Sequence, residues 1–339
     1  MRKLLNTLYV TIPNAYLSKD GETVLVRVEH EPRLRVPIHT LEGIVCFGLV
    51  SMSPPLMGFC AEHNVGVSFL TEYGRFLARI QGPIHGNVLL RREQYRRADQ
   101  DVGSTAIAKS ILLAKIANSR TSLLRAGREH SSEAMDRAST QLGQSLRLIE
   151  STPSLDGLRG VEGDAAQTYF NVFDELILHQ KEEFFFRGRS RRPPLDNVNS
   201  LLSFLYVLLA HDIASALETV GLDPTVGFLH RDRPGRPGLA LDLMEELRPV
   251  LADRLALTLI NRRQVAGNGF SRAESGGVTM DDTTRKEVLV AWQLRKQEEI
   301  LHPFLDERVP FGLVPYAQAL LLARHLRGDL DAYPAFIWR

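Results

Sequence analysis

The stretch GFLHRDRPGRPGLALDLMEELRP, residues 227–249, gathers an imidazole, an arginine-rich loop and a helix opening with three carboxylates, Asp242, Glu245 and Glu246. Asp242 with Glu245 is an i,i+3 pair and Asp242 with Glu246 an i,i+4 pair, so either pair lies on one helix face. Carboxylates that close repel unless a cation or a base sits between them. His230 precedes them across a loop long enough to fold back. Imidazole plus carboxylates suits Mg2+ or Mn2+, the ions that serve phosphoryl transfer. Helical spacing alone does not choose between Glu245 and Glu246. The competing interpretation is a solvated helix face, with Glu246 and Arg248 as surface charges and His230 as a satisfied loop histidine.

Two other segments carry related chemistry. In GLRGVEGDAAQTYFNVF, Glu162 is expected at a helix start between Gly160 and Gly163, with small Ala165 and Ala166 one turn on. Small residues allow close approach of a ligand or backbone, and a carboxylate there can bind a cation; alternatively it merely complements the helix N-terminus. In FFFRGRSRRPP, Arg187, Arg189, Arg191 and Arg192 fall within six residues. Guanidinium forks match phosphate oxygens, so this segment is a candidate nucleic-acid backbone contact, or else a solvated basic loop. Arg231, Arg233, Arg236 and Arg248 flank the acidic residues as well. Arginines could hold a phosphate that the carboxylates alone would expel, while a metal neutralises the carboxylates.

These residues need a scaffold. The chain has 339 residues, 44% hydrophobic and 24% charged, with a net charge of +1; two domains are expected, and any nucleic-acid surface has to be a local patch. YLSKDGETVLVRVEH alternates around Asp20-Gly21, a hairpin signal. RLRVPIHTLEGIVCFG and VGVSFLTEYGRFLARI read as further strands, and SPPLMGFCAEHN as a short helix between them. From Val88 onward apolar residues recur at helical spacing: 107–124, 132–148, 165–179, 198–220, 241–259, 285–301 and 315–326. The segment VAGNGFSRAESGGVTMDD reads as a loop or small hairpin. The expected class is α+β: a small N-terminal antiparallel sheet or sandwich over 1–84, then an all-helical part over 85–339. Cys46 and Cys60 are expected to be buried thiols, without a CxxC metal pattern. The apolar run Leu201–Ala210 is too short to span a bilayer, and the basic N-terminus lacks a leader pattern. A cytoplasmic protein without a membrane role is expected.

Taken in order, GVEGDAAQTYF, RSRRPPLDNVNSLLSFLYVLL and GLDPTVGFLHRDRPGRPGLALDLMEELRP resemble the CRISPR-associated integrase family, the catalytic "Cas one" subunit of spacer acquisition. The resemblance covers nearly the whole chain, including the basic helix near LVAWQLRKQEE, and is nearest to subtype I-C. It implies metal ligands at Glu162, His230 and Glu245, choosing Glu245 over Glu246, with Asp242 as an additional acidic catalytic residue. It assigns no catalytic role to Tyr169 or Tyr206. It implies a homodimer paired through the β domains (1–84), bridged by a small partner, "Cas two". It further implies DNA substrates: a spacer-precursor duplex whose 3′-hydroxyls attack phosphodiesters of the repeat array, with Mg2+ or Mn2+ as cofactor. Arg187, Arg189, Arg191, Arg192 and Arg231 are the candidate DNA contacts. The alternatives are a metal-dependent nuclease for branched DNA in repair and a non-catalytic DNA-binding scaffold.

Overall fold

The computed structural model describes residues 6–72, 76–80, 88–130, 132–274 and 276–338. The chain groups into two compact units, Met1–His85 with Met280–Gln293, and Gly86–Thr279 with Leu294–Arg339. The expected boundary at 84/85 lies outside the described residues. The distal part is also not one uninterrupted unit, because Met280–Gln293 groups with the N-terminal residues.

The first unit contains β1 (Asn6–Val10), β2 (Tyr16–Asp20), β3 (Thr23–Val28), β4 (Glu31–Pro37), β5 (Leu41–Phe47), β6 (Ser51–Met52), α1 (Pro54–Glu62), β7 (Gly66–Leu70) and β8 (Phe76–Ile80). The Asp20-Gly21 signal is realised as the β2–β3 hairpin, with Asp20 opposite Thr23 and Gly21 at a φ of 58°, a value glycine adopts without steric cost. Two four-stranded sheets result, in the orders β4-β3-β2-β6 and β1-β5-β7-β8. The second differs from the antiparallel expectation: β1, β5 and β7 run parallel and only β8 is antiparallel. Each parallel pair is joined by a long connection, as parallel strands require: β2–β4 lie between β1 and β5, and α1 carries the chain over from β5 to β7. It begins where Ser53 Oγ accepts from the Leu56 N–H, with the proline pair in its first turn, where no intrahelical donor is needed. One apolar cluster joins both sheets and α1, including Leu17, Val24, Ile44, Cys46, Leu56 and Cys60. Both cysteines are free thiols, and burial pushes each up to about 12.

The remaining elements are α2 (Val88–Ala98), α3 (Asp101–Glu129), α4 (Glu133–Ser151), α5 (Leu155–Asn171), α6 (Asn197–Val220), α7 (Gly238–Leu247), α8 (Arg254–Asn261), β9 (Phe270–Arg272), β10 (Val278–Met280), α9 (Asp282–Gln297), β11 (Glu299–Leu301), β12 (Arg308–Pro310) and α10 (Val314–Leu326). In the second unit, α3 packs on α4, α5 and α7, and α6 packs on α7 and α10. The apolar run at 201–210 lies inside α6, whose bounds match the helix expected over 198–220. By length and composition α6 could cross a membrane, yet Leu201, Leu202, Leu205, Leu209, Ile213 and Leu217 are fully buried, which marks it as a core helix. It stops at Gly221, whose φ of 88° satisfies a left-handed cap. Between α7 and α8 the helix widens to π geometry over Arg248–Asp253. Pro249 has no N–H to return to the carbonyl four residues back, so the regular ladder cannot continue there.

Candidate active site

Glu162 comes from α5, but not from its start. Ser154 caps this helix by accepting from the Gly157 N–H, which leaves Glu162 mid-helix. The glycines that looked like punctuation are helical, and Gly160 and Gly163 face open space. Glu162 therefore projects from a regular, packed element rather than from a helix end.

His230 and Glu245 meet it from the segment at 225–247. Gly227 and Gly238 let the loop lie directly on the first turn of α7: a Cβ at Gly227 would stand 2.6 Å from Asp242 Oδ2, and one at Gly238 2.6 Å from the Thr225 carbonyl. Asp242 is fully buried. Its Oδ2 accepts from the N–H groups of Phe228 (2.6 Å) and Leu229 (2.9 Å). Its Oδ1 accepts from the His230 N–H (3.0 Å) and from Nδ1–H of the same imidazole (2.6 Å). Both oxygens are thus committed, and Asp242 acts as the residue that positions His230. This differs from its expected place as an acid facing the site. With Nδ1–H donated to a carboxylate, Nε2 presents a lone pair, as in metal-binding histidines. That nitrogen lies 4.0 Å from Glu245 Oε1.

Glu245 and Glu246 are neighbours with opposite surroundings. Glu245 Oε1 accepts from Arg248 at 2.5 Å, while Lys115 on α3 pairs with Glu245 Oε2 at 2.7 Å and also with Glu162 Oε1. Oε2 is fully buried and has no well-aligned hydrogen-bond donor; Lys115 is next to it as a charge. Burial pushes the Glu245 carboxyl up, but Arg248, then Lys115, more than reverse this and hold it well below the usual carboxylate range. Arg248 is itself stacked 4.4 Å over the Tyr206 ring, and Tyr206 donates to Asp253 at 2.5 Å. Glu246 is not a surface charge. It is completely buried and accepts from Tyr333 (2.6 Å), the Phe336 N–H (2.7 Å) and Gln318 (2.9 Å). Geometry therefore makes the choice that spacing left open, since only Glu245 faces Glu162 and His230.

Among the described residues, no three His, Cys, Asp or Glu side chains are already gathered around a point that could hold a metal. The Lys115 ammonium lies between the two glutamates instead. The donor set still fits a hard divalent cation: two carboxylates from different helices, an imidazole nitrogen with its lone pair exposed, and a buried carboxylate oxygen lacking an aligned donor. A cavity of about 40 Å³ opens beside them, lined by Lys115, Glu162, Arg191, Tyr206, Arg248 and Asp253 among others. It exceeds the space one water needs.

The candidate DNA-binding arginines separate into two groups. Arg187, Arg191, Arg192 and Arg231 are exposed. Arg231 pairs with Asp156 at 2.8 Å, and Arg191 reaches the cavity. Arg236 is destabilised as a cation by burial first, then by Arg233, with Arg191 and Arg192 contributing, so the two arginine loops converge. Arg189 is different. It bonds Asn199 (2.7 Å) and Ser203 (3.0 Å) and packs 5.2 Å from the Tyr206 ring. Both of its terminal nitrogens are engaged inside the fold, unlike those of the exposed arginines beside it. The sequence singles out no role for Lys115, and it offers Arg248 as a flanking arginine for phosphate rather than as the partner of Glu245. For Lys115 the signal was present: with Asn118 it interrupts the apolar stripe of ILLAKIAN at helical spacing.

The profile of the family described as "CRISPR associated protein Cas1" matches residues 8–294. The chain belongs to the Cas1 family. CRISPR-associated endonuclease Cas1 2 of Rhodospirillum rubrum is 54% identical over 347 residues, with both chains covered completely. A casposase bound to its integration product superposes with a TM-score of 0.86 at 21% identity, covering 99% of this chain and 95% of that one. The Cas6-RT-Cas1–Cas2 complex gives 0.83 at 22% identity, covering 100% of this chain and 36% of that one. At such identities the two structures establish the shared fold. As a Cas1 protein the chain is a CRISPR-associated nuclease, which is favoured over a repair nuclease and over a non-catalytic scaffold.

Proposed function

We propose that this chain joins the 3′-hydroxyl ends of short spacer-precursor DNA to a CRISPR repeat array, at a site where Glu162, His230 and Glu245 hold Mg2+ or Mn2+. The observation that carries this is the sharing of one cation, the Lys115 ammonium, by carboxylates from α5 and α7, with the His230 ring oriented beside them by Asp242. The reaction is transesterification. A 3′-oxygen bonds to the scissile phosphorus, the bond from phosphorus to the repeat strand's own 3′-oxygen breaks, the attacking hydroxyl releases its proton and the departing oxygen gains one. A divalent ion held there would neutralise the phosphate and lower the pKa of the attacking hydroxyl or water. Asp242 keeps the His230 Nε2 lone pair directed at the site. Arg248 keeps Glu245 ionised and fixed. Arg191 and Arg192, exposed and beside Arg236, bind the DNA backbone without reading sequence. With water as nucleophile the same geometry cleaves DNA.

Assembly as a homodimer through the β domains (1–84), bridged by the small "Cas two" partner, belongs to the same proposal. A Cas1–Cas2 assembly among the structures sharing this fold supports it. Subtype I-C, which the family resemblance suggests, and a cytoplasmic location belong to the same proposal. The test mixes the chain and its small partner with a duplex bearing free 3′-hydroxyls and a supercoiled plasmid carrying a repeat array, in Mg2+, Mn2+ or EDTA. Covalent joining that needs metal and vanishes in Glu162→Ala is expected. Joining that persists in EDTA, or in the variant, would overturn the proposal.

A further inference from the structure

We infer that Lys115 is an exchangeable counter-cation: its ammonium holds Glu162 and Glu245 together until a divalent ion replaces it, and is then released to pair with a DNA phosphate. This rests on the metal site proposed above and concerns how that site is filled. Lys115 contacts Glu162 Oε1 and Glu245 Oε2, whereas the other oxygen of Glu245 belongs to Arg248. The ammonium therefore lies on the carboxylate oxygens that two separate helices turn toward each other, where an ion bridging both residues would have to sit.

The two basic partners of Glu245 are unequal. Arg248 is stacked on Tyr206 and directly bonded to Glu245, and its planar fork has little freedom. Lys115 is a compact charge on a flexible stem; its side chain is 12% exposed and lines the cavity that Arg191 and Arg248 also line. It can swing into that space without leaving the site. With neither Lys115 nor a metal ion between them, Glu162 and Glu245 would face each other at a largely buried position with only Arg248 beside Glu245, which is costly. The lysine thus stabilises the metal-free fold, lowers the apparent affinity for metal, and couples metal entry to phosphate binding. By linkage, DNA that captures the released ammonium tightens metal binding, and metal tightens DNA binding by the same factor.

The test is Mn2+ binding to the EDTA-stripped full chain, followed by the paramagnetic resonance of free Mn2+. Wild type, Lys115→Met and Lys115→Arg are compared, with and without a short DNA duplex. If the lysine-free arrangement is about one-tenth populated in the wild type, Lys115→Met binds Mn2+ roughly tenfold more tightly. Lys115→Arg, which keeps a cation, gains no such affinity. The duplex tightens Mn2+ binding by a larger factor in the wild type than in Lys115→Met, where only the direct attraction of metal and phosphate remains. Thermal melting supplies a second readout: Lys115→Met melts below wild type in EDTA, and saturating Mn2+ closes the gap. Equal or weaker Mn2+ binding by Lys115→Met, or a melting gap that Mn2+ leaves unchanged, would overturn the inference while the metal site stands. Absence of Mn2+ binding in the wild type and in Lys115→Met alike would overturn the metal site, and this inference with it.

Discussion

Glu246 provides a quantitative test of the packing behind the site. It is completely buried, and its three donors come from Gln318 and the C-terminal segment. Burial pushes its carboxyl up to about 7, and the Phe336 N–H, Tyr333 and Gln318 only partly offset this. A carboxyl raised on folding binds more protons folded than unfolded between the ordinary value of 4.5 and about 7. Its contribution is fully present below the lower value and is lost as pH rises through the upper one. Over pH 5 to 8 that loss is about 2–3 kcal/mol. Glu246→Gln removes this dependence without losing the contacts. Its carbonyl can accept from Gln318 and the Phe336 N–H, and its amide can donate to the Tyr333 hydroxyl, which is able to accept. Glu246→Ala leaves the Tyr333 hydroxyl and the Phe336 N–H buried without an acceptor, at about 1–3 kcal/mol for each, while Gln318 keeps the Tyr333 oxygen and the Pro334 carbonyl. Urea unfolding at pH 5, 6, 7 and 8 is therefore expected to show Glu246→Gln gaining on the wild type as pH rises, with Glu246→Ala the least stable throughout. Wild type and Glu246→Gln running parallel from pH 5 to 8 would refute the burial argument. Glu246→Gln as damaging as Glu246→Ala would refute the hydrogen-bond assignment.

Other substitutions separate positioning from binding. Gly227→Ala forces a Cβ to within 2.6 Å of Asp242 Oδ2; overpacking of this kind costs about 1–3 kcal/mol, so a lowered melting temperature and weakened Mn2+ binding are expected. Arg191→Ala and Arg192→Ala weaken DNA binding evenly across sequences, each lowering the slope of log affinity against log salt by about one, as measured by fluorescence anisotropy. Arg189→Ala breaks its bonds to Asn199 and Ser203 and is expected to lower the melting temperature while leaving the salt slope unchanged.

What the sequence revealed depended on whether the relevant partners were local. The hairpin at Asp20-Gly21 and the helix after Ser53 rest on signals within a few residues, and both are present. The pairing of β1, β5 and β7 is set by a crossover and is not written into any one strand. The place of Glu162 was misjudged because glycine usually marks an end, whereas here the Ser154 cap and packing on α3 and α4 carry the helix through. His230, Asp242 and Glu245 were recognisable as a group, but their division of labour was not. Asp242 is committed to the backbone of its own loop, and Glu246 is claimed by Tyr333, 87 residues away. Lys115 was visible only as a charge in an apolar stripe, since its partners come from two other helices. Arg189 matched the exposed arginines in type and spacing, and only the contacts with α6 set it apart.

The most direct measurement is an anomalous-difference map from crystals of the full chain soaked in Mn2+. A single strong peak is expected within bonding distance of the Glu162 and Glu245 carboxylates and of His230 Nε2, with Asp242 still bonded to Nδ1 and the Lys115 ammonium turned away. A map without a peak there at saturating Mn2+, with Lys115 still joining the two glutamates, would contradict the account.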